Sequence, residues 1–322
     1  MPVTITAGIT FSGGGLTMAF GPPAAPTAGW FSAGIQLPSY AEVTTVNRIT
    51  FATDTATASI RGSLSVTRKY HAATGNFNYG YHGAGVTSGA GSSTSINRII
   101  YATDTATATT RGPLNGVRYQ AAATSSTDYG YFGAGQDGSG KLASISRIDY
   151  NNDTATATTR GPLPLAIYKT AASSDTTTYG WFGGGSVFPA APRPISSVSR
   201  ITYANDTATA TARGPLASSR YQLVATGNSN YGWYAGGDTY SNVDRITYAT
   251  DTAIATARGP LTRSVYAFAG VGDNNYGWFG GGRPPPASTV DRIDYSNDTT
   301  TATTRGPLAA VAYAFAASSG VQ

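Results

Sequence analysis

An arginine returns six times along this chain in almost the same phrase. "NRITF", "NRIIY", "SRIDY", "SRITY", "DRITY" and "DRIDY" place Arg48, Arg98, Arg147, Arg200, Arg245 and Arg292 at intervals of 50, 49, 53, 45 and 47 residues. Periods of this length belong to solenoids and propellers, in which one unit cannot bury its own apolar face and relies on its neighbours. A second phrase keeps the same beat: "YGYHGAG" at 79–85, "YGYFGAG" at 129–135, "YGWFGGG" at 179–185, "YGWYAGG" at 231–237 and "YGWFGGG" at 276–282. A worn copy, "AGWFSAG", stands at 28–34.

Each unit divides into four short segments. The first is "YQAAATSS"-like, at 69–75, 119–126, 168–175, 221–228, 266–273 and 313–320; the aromatic–glycine phrase, the "RITYA" segment and the "TATATTR" segment follow. None keeps a 3.6-residue apolar period, and their Thr, Ile and Tyr content favours strands. Four antiparallel strands per unit, six times over, predict an all-β chain folded as a six-bladed β-propeller of four-stranded blades. Alternate strand residues face opposite sides, so Tyr276, Trp278 and Gly280 face one way and Gly277, Phe279 and Gly281 the other. Each face of a blade then offers rings and glycine spaces to its neighbour, and the alanines of the first strand suit the crowded axis. The copy at 28–34 has no first strand before it, while 313–320 has no partners after it. The C-terminal segment is therefore expected to complete the first blade and remove the open edges. The propeller would occupy 28–322 and leave 1–27 as a separate β extension.

Chemistry is scarce. The 40 glycines and low charge would suggest disorder if they were aperiodic, but here they repeat. There is no cysteine, one glutamate (Glu42) and two histidines, His71 and His82, outside any zinc spacing. His82 takes the place of Phe132, Phe182 and Phe279, which reads as packing. "GSGK" at 138–141 lacks P-loop spacing, and the glycine runs end strands where a phosphate cradle would open a helix. No enzyme, cofactor or metal site is expected. The first twenty residues suggest no signal peptide, and no stretch is long and apolar enough for a membrane helix.

The net charge of +5 belongs to the framework. Twelve repeated arginines against six repeated aspartates make +6, and the other nine basic and ten acidic residues make −1. Charge spread in this way gives no stripe for phosphates to follow, so nucleic acid is not an expected partner. The aspartates (Asp54, Asp104, Asp153, Asp206, Asp251, Asp298) follow a strand arginine by six residues, in a turn where they can bond nearby backbone. They read as a ring of charge pairs fixing each hairpin to its neighbour, the alternative being an arginine ring that binds a ligand. Exposed pairs of this kind would contribute roughly 0–1 kcal/mol each.

The loops after the aromatic–glycine phrase vary most, and variable loops on a constant scaffold carry recognition. They supply Tyr40, Lys141, Phe188, Arg193, Tyr240 and Arg283 as candidate stacking rings and hydrogen-bond donors. In the N-terminal segment, "VTITAGITF" and "LTMAF" read as two strands around "SGGG". Val3, Ile5, Ile9 and Phe11 form an apolar set suited to anchoring on another protein or on a second copy of this chain.

A glycine doublet, a variable loop, an "R-I-x-Y-x-x-x-D" strand and an "RGPL" segment together resemble the Kelch-type propeller repeat over about 28–322. The tryptophan usual in that family's last strand is replaced here by Ala and Thr. The "DTATATTRGPL" phrases also resemble repeat proteins of tailed bacteriophages, especially those infecting cyanobacteria, and "GITFSGGGLTMAF" resembles the starts of small phage structural proteins. This likeness implies a non-enzymatic virion protein of a tail, fibre or head decoration. Other virion proteins would be its partners through 1–27, and a host surface polysaccharide would be a partner of the loop face. The Kelch likeness alone implies a cellular protein-interaction module instead, and a sugar-modifying enzyme is a third reading.

Overall fold

The computed structural model describes residues 9–12, 15–18, 26–187 and 193–320. It is all-β, built from repeated four-stranded antiparallel sheets in an arrangement consistent with a propeller. In the second sheet the strands run in order Ala72–Gly75, Tyr79–Gly83, Ile96–Ile100 and Thr109–Arg111. Four further sheets repeat this order, starting at Ala122, Ala171, Val224 and Ala269. The first sheet differs only in where its inner strand comes from. Ala316–Ser319 pairs with Ala28–Ser32, Trp30 facing Ser318, before Val46–Thr50 and Ser59–Arg61 follow. The C-terminal segment thus completes the sheet begun at Ala28, as the order of segments predicts. Its preceding residues Ala312–Tyr313 also pair with Ile35–Gln36.

The aromatic–glycine phrase packs by alternation. Trp181 of the fourth sheet stacks on Tyr248 of the fifth with ring centroids 3.8 Å apart. Tyr234 of the fifth rests in turn on Gly183 of the fourth, where an added Cβ would stand 2.8 Å from the ring. One ring of the phrase therefore faces forward and the next faces back. The inner strands lie beside one another, and Ala73, Ala123, Ala172, Ala225 and Ala317 line the space between them.

One local reading needs correction. The "TATATTR" segment is a strand only over its last three residues, such as Thr109–Arg111, because the chain first passes through a 3-10 turn, Tyr101–Thr103, and an exposed bend. The framework aspartate ends that turn, yet its carboxylate serves the preceding sheet. Asp104 Oδ2 accepts from Arg48 at 3.1 Å and Trp30 Nε1 at 2.8 Å, with Arg61 Nε at 3.6 Å. The pattern repeats from sheet to sheet until Asp54 of the first serves Arg292 and Trp278 of the sixth, at 2.9 and 2.8 Å. The aspartate side chains are only 6–9% exposed, so these charge pairs, which join each hairpin to the neighbouring sheet, are largely withdrawn from solvent. At each seam the "RGPL" glycine amide also donates to the aspartate's own carbonyl, as Gly112 does to Asp153 at 2.9 Å.

Outside the sheets, Ile9–Ser12 and Gly15–Met18 form a hairpin with Ile9 opposite Met18. It overlaps the two strands expected there and extends each by one residue, Ser12 and Gly15, into the expected "SGGG" turn. Ile9 and Phe11 lie on its first strand; Val3 and Ile5 lie outside the described residues.

Candidate functional site

The variable loops and the connections entering each inner strand share one face, and a repeated local geometry organises its centre. Just before each inner strand stands a tyrosine (Tyr119, Tyr168, Tyr221, Tyr266, Tyr313), with Lys69 in that place in the second sheet. Backbone bridges pin these residues to the start of a variable loop, as in Tyr119 to Gln136, Tyr168 to Ser186 and Tyr266 to Arg283.

The next residue turns left-handed at every copy: Tyr70, Gln120, Lys169, Gln222, Ala267 and Ala314 have φ between 53° and 59°. For an L-residue that conformation costs roughly 1–2 kcal/mol. It aims the amide at the equivalent carbonyl of the adjacent unit: Gln120 donates to Tyr70, Lys169 to Gln120 and Gln222 to Lys169, each at 2.8 Å. Tyr70 donates to Ala314, and Ala314 to Ala267, at 2.8 and 2.7 Å. These bonds join the units around the mouth of an open axial cavity.

Cations cover part of the tyrosine rim. Lys141 Nζ lies 4.3 Å from the Tyr168 ring centre, and Lys169 Nζ lies 5.0 and 4.9 Å from those of Tyr168 and Tyr221. Arg283 lies 5.0 Å from Tyr313 and 5.6 Å from Tyr266. Tyr168 and Tyr313, beneath these cations, are buried; Tyr119, Tyr221 and Tyr266 are half-exposed. Partial burial, and then the charge of Lys141, lower the Lys169 ammonium below its ordinary value. Burial first, and then Asp238, raise the Tyr221 phenol. Half-open rings beside ammonium, guanidinium and amide groups suit a flat polyhydroxylated ligand, which stacks its apolar face and bonds through its rim.

Of the sequence candidates, Lys141 and Arg283 join this rim. Tyr40 and Tyr240 are 64% and 47% exposed, and Arg193 is exposed on the hairpin of Ser186–Val187 with Arg193–Pro194. Among the described residues these three make no ring contact with the rim. Phe188 lies outside the described residues. The framework arginines are held at the seams, so the ligand-binding arginine ring gives way to the structural reading. The rim tyrosines were missed, although their fixed register in "RYQ", "IYK", "VYA" and "AYA" is visible in the sequence.

Another unexpected cluster lies between the first and second sheets. His82 is buried where sister sheets have phenylalanine or tyrosine, but it bonds Ser32 Oγ at 2.7 Å and Ser318 Oγ at 3.0 Å. His71 Nε2 reaches the same Ser32 at 3.1 Å. Among the described residues, no three His, Cys, Asp or Glu gather into a metal-binding group. No family model matches the chain, and a search of curated proteins returns no match.

Proposed function

We propose that residues 28–322 form a closed six-bladed β-propeller, and that the chain is a non-enzymatic structural and adhesive protein of a bacteriophage particle. The cyclic order of the seams, in which Asp54 serves the sixth sheet, supports closure. The likeness to phage repeat proteins supports the place on a virion, in a tail, a fibre or a head decoration. The N-terminal segment then fixes the propeller to other virion proteins, with Ile9 and Phe11 on its hairpin. The loop face meets a host surface polysaccharide.

The observation that carries the binding reading is the rim of tyrosines, lysines and arginine at the axial mouth, on the face where the loops vary. A pyranose stacks on a half-open tyrosine while lysine and glutamine groups bond its hydroxyls, and anionic sugars gain from the nearby positive charge. The test is retention of the purified protein on host envelope polysaccharide. Replacing Tyr221 and Lys169 together by alanine is expected to weaken retention at least about tenfold, a change of about 1.4 kcal/mol. Unchanged retention would clear the rim, and release of sugar in the same incubation would replace adhesion by catalysis. Copurification with particles made late in infection tests the virion assignment separately.

A further inference from the structure

Five of the six sheets open their second strand with a tyrosine: Tyr79, Tyr129, Tyr179, Tyr231 and Tyr276. Each ring is held in the same way. The guanidinium of the adjacent strand arginine lies 3.9–4.5 Å from its centre. The aromatic two residues on meets it at a steep angle, with centroids 5.6–6.5 Å apart.

The first sheet has Ala28 at this position. Its arginine, Arg48, still bonds Asp104, but among the described residues no ring lies under its guanidinium. The Arg48 side chain is 28% exposed, against 15–20% for its five counterparts. An open cavity stands there, on the face opposite the variable loops, lined by Ala28, Trp30, Arg48, Thr50, Phe77 and Tyr101. Trp30 and Tyr101 stack at 3.9 Å as one wall. Phe77 is half-buried beside the cavity, whereas Thr127, Thr177, Ser229 and Asn274 at the same point of the other turns are exposed. This seam therefore has one ring fewer than its sisters and one more aromatic side chain on its wall.

We infer that this cavity is a binding site for a phenol ring supplied from outside the sheet, which takes the place that tyrosine holds in the five sister sheets. Arg48 covers its face, the Trp30 indole meets it at an angle, and Phe77 closes the side. The cation over the ring distinguishes an aromatic ligand from a saturated ring of equal size. The same ring chemistry comes either from a small phenol or from a tyrosine side chain of a partner polypeptide.

The test is calorimetric or ligand-detected NMR titration of the full chain with p-cresol, N-acetyl-tyrosinamide and cyclohexanol. Millimolar binding of p-cresol or N-acetyl-tyrosinamide is expected, with cyclohexanol weaker by about fivefold. Preference for p-cresol assigns the site to a small molecule. Equal or tighter binding of N-acetyl-tyrosinamide assigns it to a partner chain. Ala28→Tyr refills the cavity and should abolish binding while raising the melting temperature. Phe77→Ser, in a turn where the sister copies carry small polar residues, should weaken binding severalfold and does not depend on Ala28→Tyr folding. Absence of saturable binding by either phenol, or binding that survives Ala28→Tyr in a folded protein, overturns the proposal.

Discussion

At Ser32 one hydroxyl lies between two imidazoles, and the accounting of protons fixes how they bond. His71 Nε2–H donates to Ser32 Oγ, the Ser32 hydroxyl donates to His82 Nδ1, and His82 Nε2–H donates to Ser318. The opposite sense would leave a proton on His71 Nδ1, which has no partner. The chain requires a neutral His82, whose Nδ1 accepts, and a second proton on His71 would sit on its partnerless Nδ1. Burial, and then the Arg68 guanidinium, hold His82 down to about 3 and His71 well below its ordinary value, with His82 itself adding to the shift on His71. An unfolded histidine titrates near pH 6.5. Stability from these rings is therefore full above about pH 6.5 and declines toward pH 3, because the unfolded chain takes up protons that the folded one refuses. His82 contributes a slope of about 1.4 kcal/mol per pH unit in that window, and His71 acts in the same direction. In the sister seams Gly133 faces Phe182 and Gly183 faces Tyr234 where this seam has Ser32 facing His82. The double variant Ser32→Gly with His82→Phe should thus unfold in urea with a pH slope shallower by one histidine, and identical slopes would show that His82 is not the proton acceptor. Reading His82 as a packing residue located it correctly, since its counterparts are the buried rings of Phe31, Phe132, Phe182, Tyr234 and Phe279. The bonds escaped notice because Ser32 and Ser318 come from distant parts of the chain, and only the completed first sheet brings them together.

Among the elements, the seam between sheets decides more than any single strand. It holds an aromatic stack, a carboxylate with two hydrogen-bond donors and a second arginine in ion-pair range, and a backbone bond from the "RGPL" glycine. At Gly161 the amide donates to Asp206 at 2.8 Å, and an added Cβ would run into the backbone of Thr207 and Ala208. Backbone cannot swing aside as a long side chain can, so Gly161→Ala must push two sheets apart or break the bond. Overpacking of this kind costs typically 1–3 kcal/mol, and this site belongs near about 3 kcal/mol. Equilibrium urea unfolding measures it; a loss below about 1 kcal/mol would mean that the seam yields. The glycine phrases, strand alternation and alanine-rich inner strands were legible because each follows from the pleat and from crowding near an axis. The tyrosine rim was not. Reading 119–126 as one strand hid the left-handed turn at Gln120 (φ 53°), which detaches Tyr119 from the inner strand Ala122–Ser125 and places it at the cavity mouth. Nothing in the composition of "RYQAAA" marks that turn, because the bond that stabilises it comes from the adjacent unit.

At the scale of the whole molecule, strand pairing joins two segments that lie far apart in the sequence, Ala28–Ser32 and Ala316–Ser319. Ala316–Ser319 supplies the inner strand of the first sheet, and its neighbours then tie it into both adjoining seams. Ser319 Oγ donates to Gly272 of the sixth sheet, and its carbonyl accepts from Tyr101 of the second. Phe315 packs against Phe31, Ala312 pairs with Gln36, and Ala314 donates into the chain of bonds at the axial mouth. Deleting 313–322 therefore removes more than a terminal strand. It bares the edge of Ala28–Ser32, breaks the chain of axial bonds at Tyr70 and Ala267, and opens two seams together. An exposed edge of that kind invites pairing between molecules. The truncated chain should elute as aggregate or as strand-exchanged oligomers, and should lose the cooperative unfolding of the full chain. A monodisperse monomer with an unchanged transition would show that the sheets stand without the junction, and the proposed closure would then lose its physical basis.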